Sequence, residues 1–155
     1  MTRYLIPQMP YAVRQGPPMY IFLSQYTIAG DTNAGVRLAA IKQDPSVASL
    51  LQGATQPAFA GIRASRPSVR IHIVGYRAWS YQMHIYPERG GRTIEQAAIA
   101  LTRVIRRAYN YHVGMIGMPG GVQLGPMGIT FDQLYLVEVH QVSSASIQLT
   151  LAYDA

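Results

Sequence analysis

Residues 93–108 read TIEQAAIALTRVIRRA, and this stretch decides the architecture. Ile94, Ala97, Ala98, Leu101, Val104, Ile105 and Ala108 recur at three- and four-residue spacing, which is one apolar stripe along a helix. Thr93 stands at the N-cap with Gln96 in the capping-box position. Arg103, Arg106 and Arg107 fall on the polar side near the other end, where the helix dipole favours cations. Burying one large aliphatic side chain stabilises by about 1.5–3 kcal/mol, so a stripe of this length pins the helix to a sheet.

Alternating runs on both sides supply that sheet. Val69, Ile71 and Ile73 alternate with Arg70 and His72, and Trp79, Tyr81, Met83 and Ile85 alternate with Ser80, Gln82 and His84. Two such runs around Gly75 predict a β-hairpin. After the helix, Phe131, Tyr135, Val137 and Val139 alternate with Asp132, Glu138 and His140. Ile147, Leu149, Leu151 and Tyr153 then alternate with Ser146, Gln148 and Thr150, and Val142-Ser-Ser-Ala145 links these last two runs as a closing hairpin. Towards the N-terminus, residues 19–28 (MYIFLSQYTI) predict a strand apolar on both faces. Asp31-Thr32-Asn33 predicts the start of a helix carrying Val36, Leu38, Ala39, Ala40 and Ile41, and Asp44-Pro45 stops it and begins a further turn.

The expected fold is α+β: an antiparallel sheet with two main helices on one face, an N-terminal extended arm and a closing β-hairpin. Residues 1–17, with Pro7, Pro10 and Pro17, read as the arm, and residues 18–155 as a single domain. Within it, residues 113–128 (VGMIGMPGGVQLGPMG) form a long Gly/Met/Pro-rich loop, and loops of this length are usually functional or disordered. Its Met115, Ile116, Met118, Val122, Leu124 and Met127, together with Tyr4 and Tyr11 of the arm, are candidate partner or oligomer contacts. The competing reading is that loop and arm cover the domain's own core.

The net charge is +6 although only 13% of residues are charged, and arginine supplies twelve of the thirteen basic side chains. A surface poor in Lys and Glu but rich in Tyr, Met and Arg has the composition of contact surface, which favours assembly over a free monomer. There is no cysteine, which excludes disulfides, thiolate metal sites and Cys nucleophiles. No apolar run approaches the roughly 20 residues of a membrane span, and the N-terminus lacks a secretory-signal pattern. The chain shows no nucleophile elbow, P-loop, zinc-protease helix or dinucleotide fingerprint, so neither an enzyme nor a cofactor is expected. His72 and His84 are placed to face each other across the hairpin and Glu138 stands two residues before His140, yet the spacings match no familiar metal site.

Two functional classes stay open. Residues 18–141 follow a β-α-β-β-α-β order, and Arg63, Arg66, Arg70, Arg77, Arg89 and Arg92 bracket the hairpin. One reading is therefore a small basic single-stranded nucleic-acid-binding domain with a ferredoxin-like core, although the aromatic RNP1 pattern is absent. The other rests on a resemblance carried by four stretches: AIKQDPSVASLL (40–51), RPSVRIHI (66–73), WSYQMHIY (79–86) leading into the helix at Thr93, and VSSASIQLTLAY (142–153). In layout and strand texture, residues 34–155 resemble the tail-terminator and tail-completion (head–tail neck) proteins of long-tailed bacteriophages. The first strand, the arm and the Gly/Met loop are additions to that pattern. The resemblance implies a virion subunit without catalytic activity: a self-assembled ring, commonly hexameric, that caps the tail tube and meets the head connector. Arg89, Arg92, Arg103, Arg106 and Arg107 would then give non-specific contact with passing DNA, or with a partner protein.

Overall fold

The computed structural model describes residues 2–11, 21–115 and 121–155. Its centre is the helix read first from the sequence, α2 (Ile94–Val113), 20 residues long. Both halves of the capping box form: Thr93 Oγ1 accepts from the Gln96 N–H at 3.2 Å, and Gln96 Oε1 accepts from the Thr93 N–H at 3.0 Å. Every residue of the apolar stripe is buried. Thr102 and His112 are buried with them, and Thr102 is made tolerable there by donating its hydroxyl to the Ala98 carbonyl at 2.7 Å.

The stripe covers one face of a mostly antiparallel seven-stranded sheet: β1 (Arg3–Leu5), β2 (Ile21–Gln25), β3 (Val36–Arg37), β4 (Ser68–Ile71), β5 (Trp79–Gln82), β6 (Leu134–Ser143) and β7 (Ser146–Asp154). The main order is β2-β6-β7-β4-β5, with β3 also on β6 and β1 also on β7. The closing hairpin β6–β7 is therefore central, and Ile147, Leu149 and Leu151 of β7 are each no more than 2% exposed. The one parallel pairing is β7 with β4, in the register Arg70↔Gln148. This α+β architecture is the one expected. It is not the four-strand ferredoxin-like order, because β7 joins β6 between the two strands that flank the first helix.

Two local expectations about the first helix are corrected, its start and its length, and the extended arm finds its place. Asp31 does not start a helix; its Oδ1 accepts from the Asn33 N–H in a turn, and Val36 and Arg37 pair with Leu136 and Tyr135 as β3. Gly35 makes this approach possible, since it lies at φ +107° against Tyr135 and Val137, where a Cβ would be crowded. The first helix, α1 (Leu38–Gln43), is thus only six residues long, and Asp44 caps a separate 3-10 turn at Pro45–Leu50 by accepting from Ser46 N–H. Finally, the arm is part of the sheet. Arg3, Tyr4 and Leu5 pair with Asp154, Tyr153 and Ala152, the Ile6 N–H donates to the Leu151 carbonyl, and Met9 and Val74 exchange main-chain bonds with His72 and Pro7. The arm is a wedge where β4 and β7 splay apart.

Leu101 is fully buried in the middle of the stripe. Leu101→Ala should lower the unfolding free energy by about 2–5 kcal/mol, and Thr93→Ala by about 0.5–2 kcal/mol, both read from urea midpoints. A Leu101→Ala loss below about 1 kcal/mol would mean that α2 is not what holds the sheet.

Candidate functional site

The long loop divides into a tethered part and an exposed part. Ile116 and Met118 lie outside the described residues. Met115 follows the end of α2, partly buried, with its N–H on the His112 carbonyl. Val122 packs partly buried against the core. Leu124 is 8% exposed and belongs to the core itself, a correction to its reading as an exposed contact. The reason is a polar anchor: the Tyr76 hydroxyl accepts the Leu124 N–H at 3.0 Å and draws the loop inward. Beyond it the chain turns tightly, with Gly125 and Ile129 joined by a main-chain bond, and Met127 at the tip is 99% exposed. A fully exposed methionine on a turn held at its base is a preformed apolar contact.

On the arm, Tyr4 is 47% exposed with its ring against Tyr153 at 5.7 Å, and Leu5 and Met9 are exposed beside it. Tyr11 is partly buried under the Arg70 guanidinium, 4.7 Å from ring centroid to Cζ.

The arginines are spread along α2, a helix of about 30 Å for its length. Near its start, Arg89 and Arg92 stand 5.3 and 5.0 Å from the ring of Tyr86, and Arg92 Nε donates to the His84 carbonyl at 2.8 Å. Tyr86 is the only described non-glycine residue with positive φ, at 53°. A bulky residue in the left-handed region is strained by about 1 kcal/mol or more. Here the strain aims the ring: Tyr86 stacks on His84 at 4.1 Å and gives its N–H to His84 Nδ1. Towards the other end, Arg106 lies over Phe131 at 4.7 Å and Arg107 over Tyr81 at 5.0 Å. Exposed Arg103 joins Arg106 and Lys42 around a groove floored by Ile41, Pro45 and Ile99. The five candidate arginines therefore do not form one patch: Arg89 and Arg92 share the Tyr86 ring, Arg103 and Arg106 share the groove beside Lys42, and Arg107 stands on Tyr81 of β5.

Carboxylates neutralise little of this charge. Among the described residues the ion pairs are Arg3–Asp154 at 3.0 Å and His140–Glu138 at 3.0 Å. Glu138 and His140, considered from the sequence only as possible added metal ligands, here pair with each other. The facing of His72 and His84 was not realised, since the register sets Ser68 opposite Gln82 and Ile71 opposite Trp79. No group of three potential metal ligands occurs among the described residues, and no helix there is long and apolar enough to cross a membrane.

Two expectations follow from this surface. A methyl group on Gly128 would collide with the Gln123 carbonyl oxygen. Gly128→Ala should therefore cost stability by about 1–3 kcal/mol, whereas Met127→Ala should stay within about 0.5 kcal/mol in the same thermal melts. Equal effects would contradict the division into base and tip. The second concerns pH. The hydrogen bond from Arg3, opposed by burial and aided by the Tyr135 hydroxyl, holds the Asp154 carboxyl below its ordinary value. A depressed carboxyl stabilises the fold above its unfolded pKa of about 4 and loses that contribution as pH falls through the lowered value. Asp154→Asn should flatten this acid limb of stability against pH, and an unchanged limb would show that the pair contributes nothing.

Compared with protein-family models, with curated proteins and with solved structures, the chain matches none.

Proposed function

We propose that this chain is a structural virion subunit that assembles with copies of itself into a ring, as a tail-terminator or neck protein capping the tail tube below the head connector. The observation that carries the reading is the state of the sheet edges. β2 and β5 each have one strand neighbour among the described residues, and neither contains a proline or a charged side chain. Both strands are short and β2 shifts register between Phe22 and Ser24, but the Lys and Pro that commonly blunt the edges of sheets that stay single are absent from both. Tracing the pairings across β6, β7 and β4 makes β2 and β5 antiparallel, so β5 of one copy fits beside β2 of the next in the more stable pairing. Such a head-to-tail contact joins two different surfaces and closes into a ring when its rotation divides the circle.

The exposed apolar groups fit the same reading. Met127, Tyr4 and Leu5 give contacts to a tube or connector protein. Arg89 and Arg92, clustered on Tyr86 without a carboxylate, give a cationic surface to a partner or to the backbone of DNA passing through the lumen.

Negative-stain electron microscopy of the purified chain at micromolar concentration should show uniform rings with a central hole. Gln82→Lys, which places a charge on the exposed β5 edge, should abolish them while leaving the circular dichroism spectrum intact. Monomers that neither form rings nor bind purified tail tubes would overturn the proposal. Monomers that bind single strands in a salt-dependent way would select the small basic nucleic-acid-binding domain instead.

A further inference from the structure

The sheet face opposite α2 carries a groove of about 410 Å³ between the arm at Met9–Tyr11 and strands β4 and β5. Its size is that of a small-ligand site. Arg70 and His72 project into it from alternate positions of one strand, and Ser80 lines it from the position paired with Arg70. Arg70 is already oriented: its Nε donates to Ser146 Oγ at 3.1 Å and its plane lies on the Tyr11 ring. Its two terminal nitrogens, the His72 ring and the Ser80 hydroxyl have no partner among the described residues, and no carboxylate lines the groove.

A second observation lies in the floor. Gln148, cross-strand neighbour of Arg70, is 8% exposed, and its Nε2 donates to the Met9 carbonyl at 3.2 Å. Its Oε1 is buried with no donor among the described residues. The amide cannot be turned to relieve this, because Oε1 would then face the Met9 carbonyl. A desolvated acceptor without a donor is unfavourable, so a ligand that supplies an N–H here recovers that lost interaction.

We propose that this groove binds a nucleotide. Its phosphate is taken by the Arg70 terminal nitrogens, His72 and Ser80, and the exocyclic amino group of its base donates to Gln148 Oε1. Arg is the side chain that grips phosphate in two-point fashion, and a fixed carboxamide oxygen reads a base amino group. A bare oxyanion would satisfy Arg70 and leave Gln148 as it stands. The apolar walls, Met9, Pro10 and Tyr11, suit the flat base. Because Gln148 Oε1 is buried, we expect occupancy to be coupled to a small outward shift of the arm at Pro10, which borders the groove beside Gln148. The groove belongs to one chain, so the site exists whether or not subunits assemble.

Trp79 is the only tryptophan and lines the groove, which makes its fluorescence the reporter. Titration of the full chain with adenosine monophosphate should give a saturable change, tighter by about tenfold or more than with inorganic phosphate or adenosine alone. Arg70→Gln and His72→Ala should each weaken the nucleotide, and Gln148→Met should reduce it to the affinity of phosphate. Thermal melts would verify that each variant folds, and His72→Ala, away from the floor, serves if Gln148→Met does not. An oligodeoxyadenylate that competes would identify units within a strand as the natural source, and one that fails to compete would identify the free nucleotide. No response to adenosine monophosphate, equal binding of phosphate, or undiminished binding by a folded Arg70→Gln variant would each overturn the proposal.

Discussion

The structure depends on one buried contact, the apolar stripe of α2 lying across the central hairpin β6–β7. Leu101 and Ile105 of the helix and Leu136, Ile147, Leu149 and Leu151 of the hairpin are all at most 2% exposed. These side chains are removed from water, and β1, β2, β3 and β4 attach to the hairpin through main-chain hydrogen bonds, with β5 joined on through β4. Everything that reaches the surface is positioned from this contact. The groove stands on the reverse of the sheet, the candidate arginines are strung along α2 and the turn before it, and the tip at Met127 falls between the helix and β6 in the chain.

Charge is handled without carboxylates. A chain with twelve arginines and seven acids cannot pair them all, and here even the available acids mostly serve elsewhere. Asp44 caps a 3-10 turn, Asp31 closes a turn, and among the described residues only Asp154 forms an ion pair with an arginine. Rings of tyrosine and phenylalanine take their place, beneath Arg3, Arg70, Arg89, Arg92, Arg106 and Arg107. A guanidinium on an aromatic face keeps its edge donors free. The surface is thereby both ordered and still able to receive phosphate or carboxylate from outside.

Much of this was legible in the residues themselves. Helix α2 announces itself because capping and periodicity are both local, and β4, β6 and β7 do so because half-buried strands alternate. The arm's place in the sheet was not legible, since the bonds it makes are main-chain and nearly blind to side-chain identity. The burial of Leu124 was hidden for a related reason, because it depends on a hydroxyl 48 positions away. The groove lay beyond sequence reading altogether. Arg70, His72, Ser80 and Gln148 look like ordinary outward residues until the parallel register of β4 on β7 brings them together. The candidate interface was legible in part: Met127 and Tyr4 are exposed as read, whereas Leu124 is core.

The wedge formed by the arm also has a kinetic meaning. Arg3 and Asp154 are 151 positions apart, and β7 is the shared partner of β1, β4 and β6. Until residues 146–154 exist as a strand, β1 has no strand to pair with and β4 has only β5, so neither is joined to β6, however well α2 has formed. Such a fold has a high mean sequence separation between contacting residues, and domains of that kind fold slowly because long loops must close before any contact rewards them. The helix is therefore expected to wait, apolar and uncovered, on the last strand of the chain, and the interval before β7 arrives is when this protein is most exposed to misassociation.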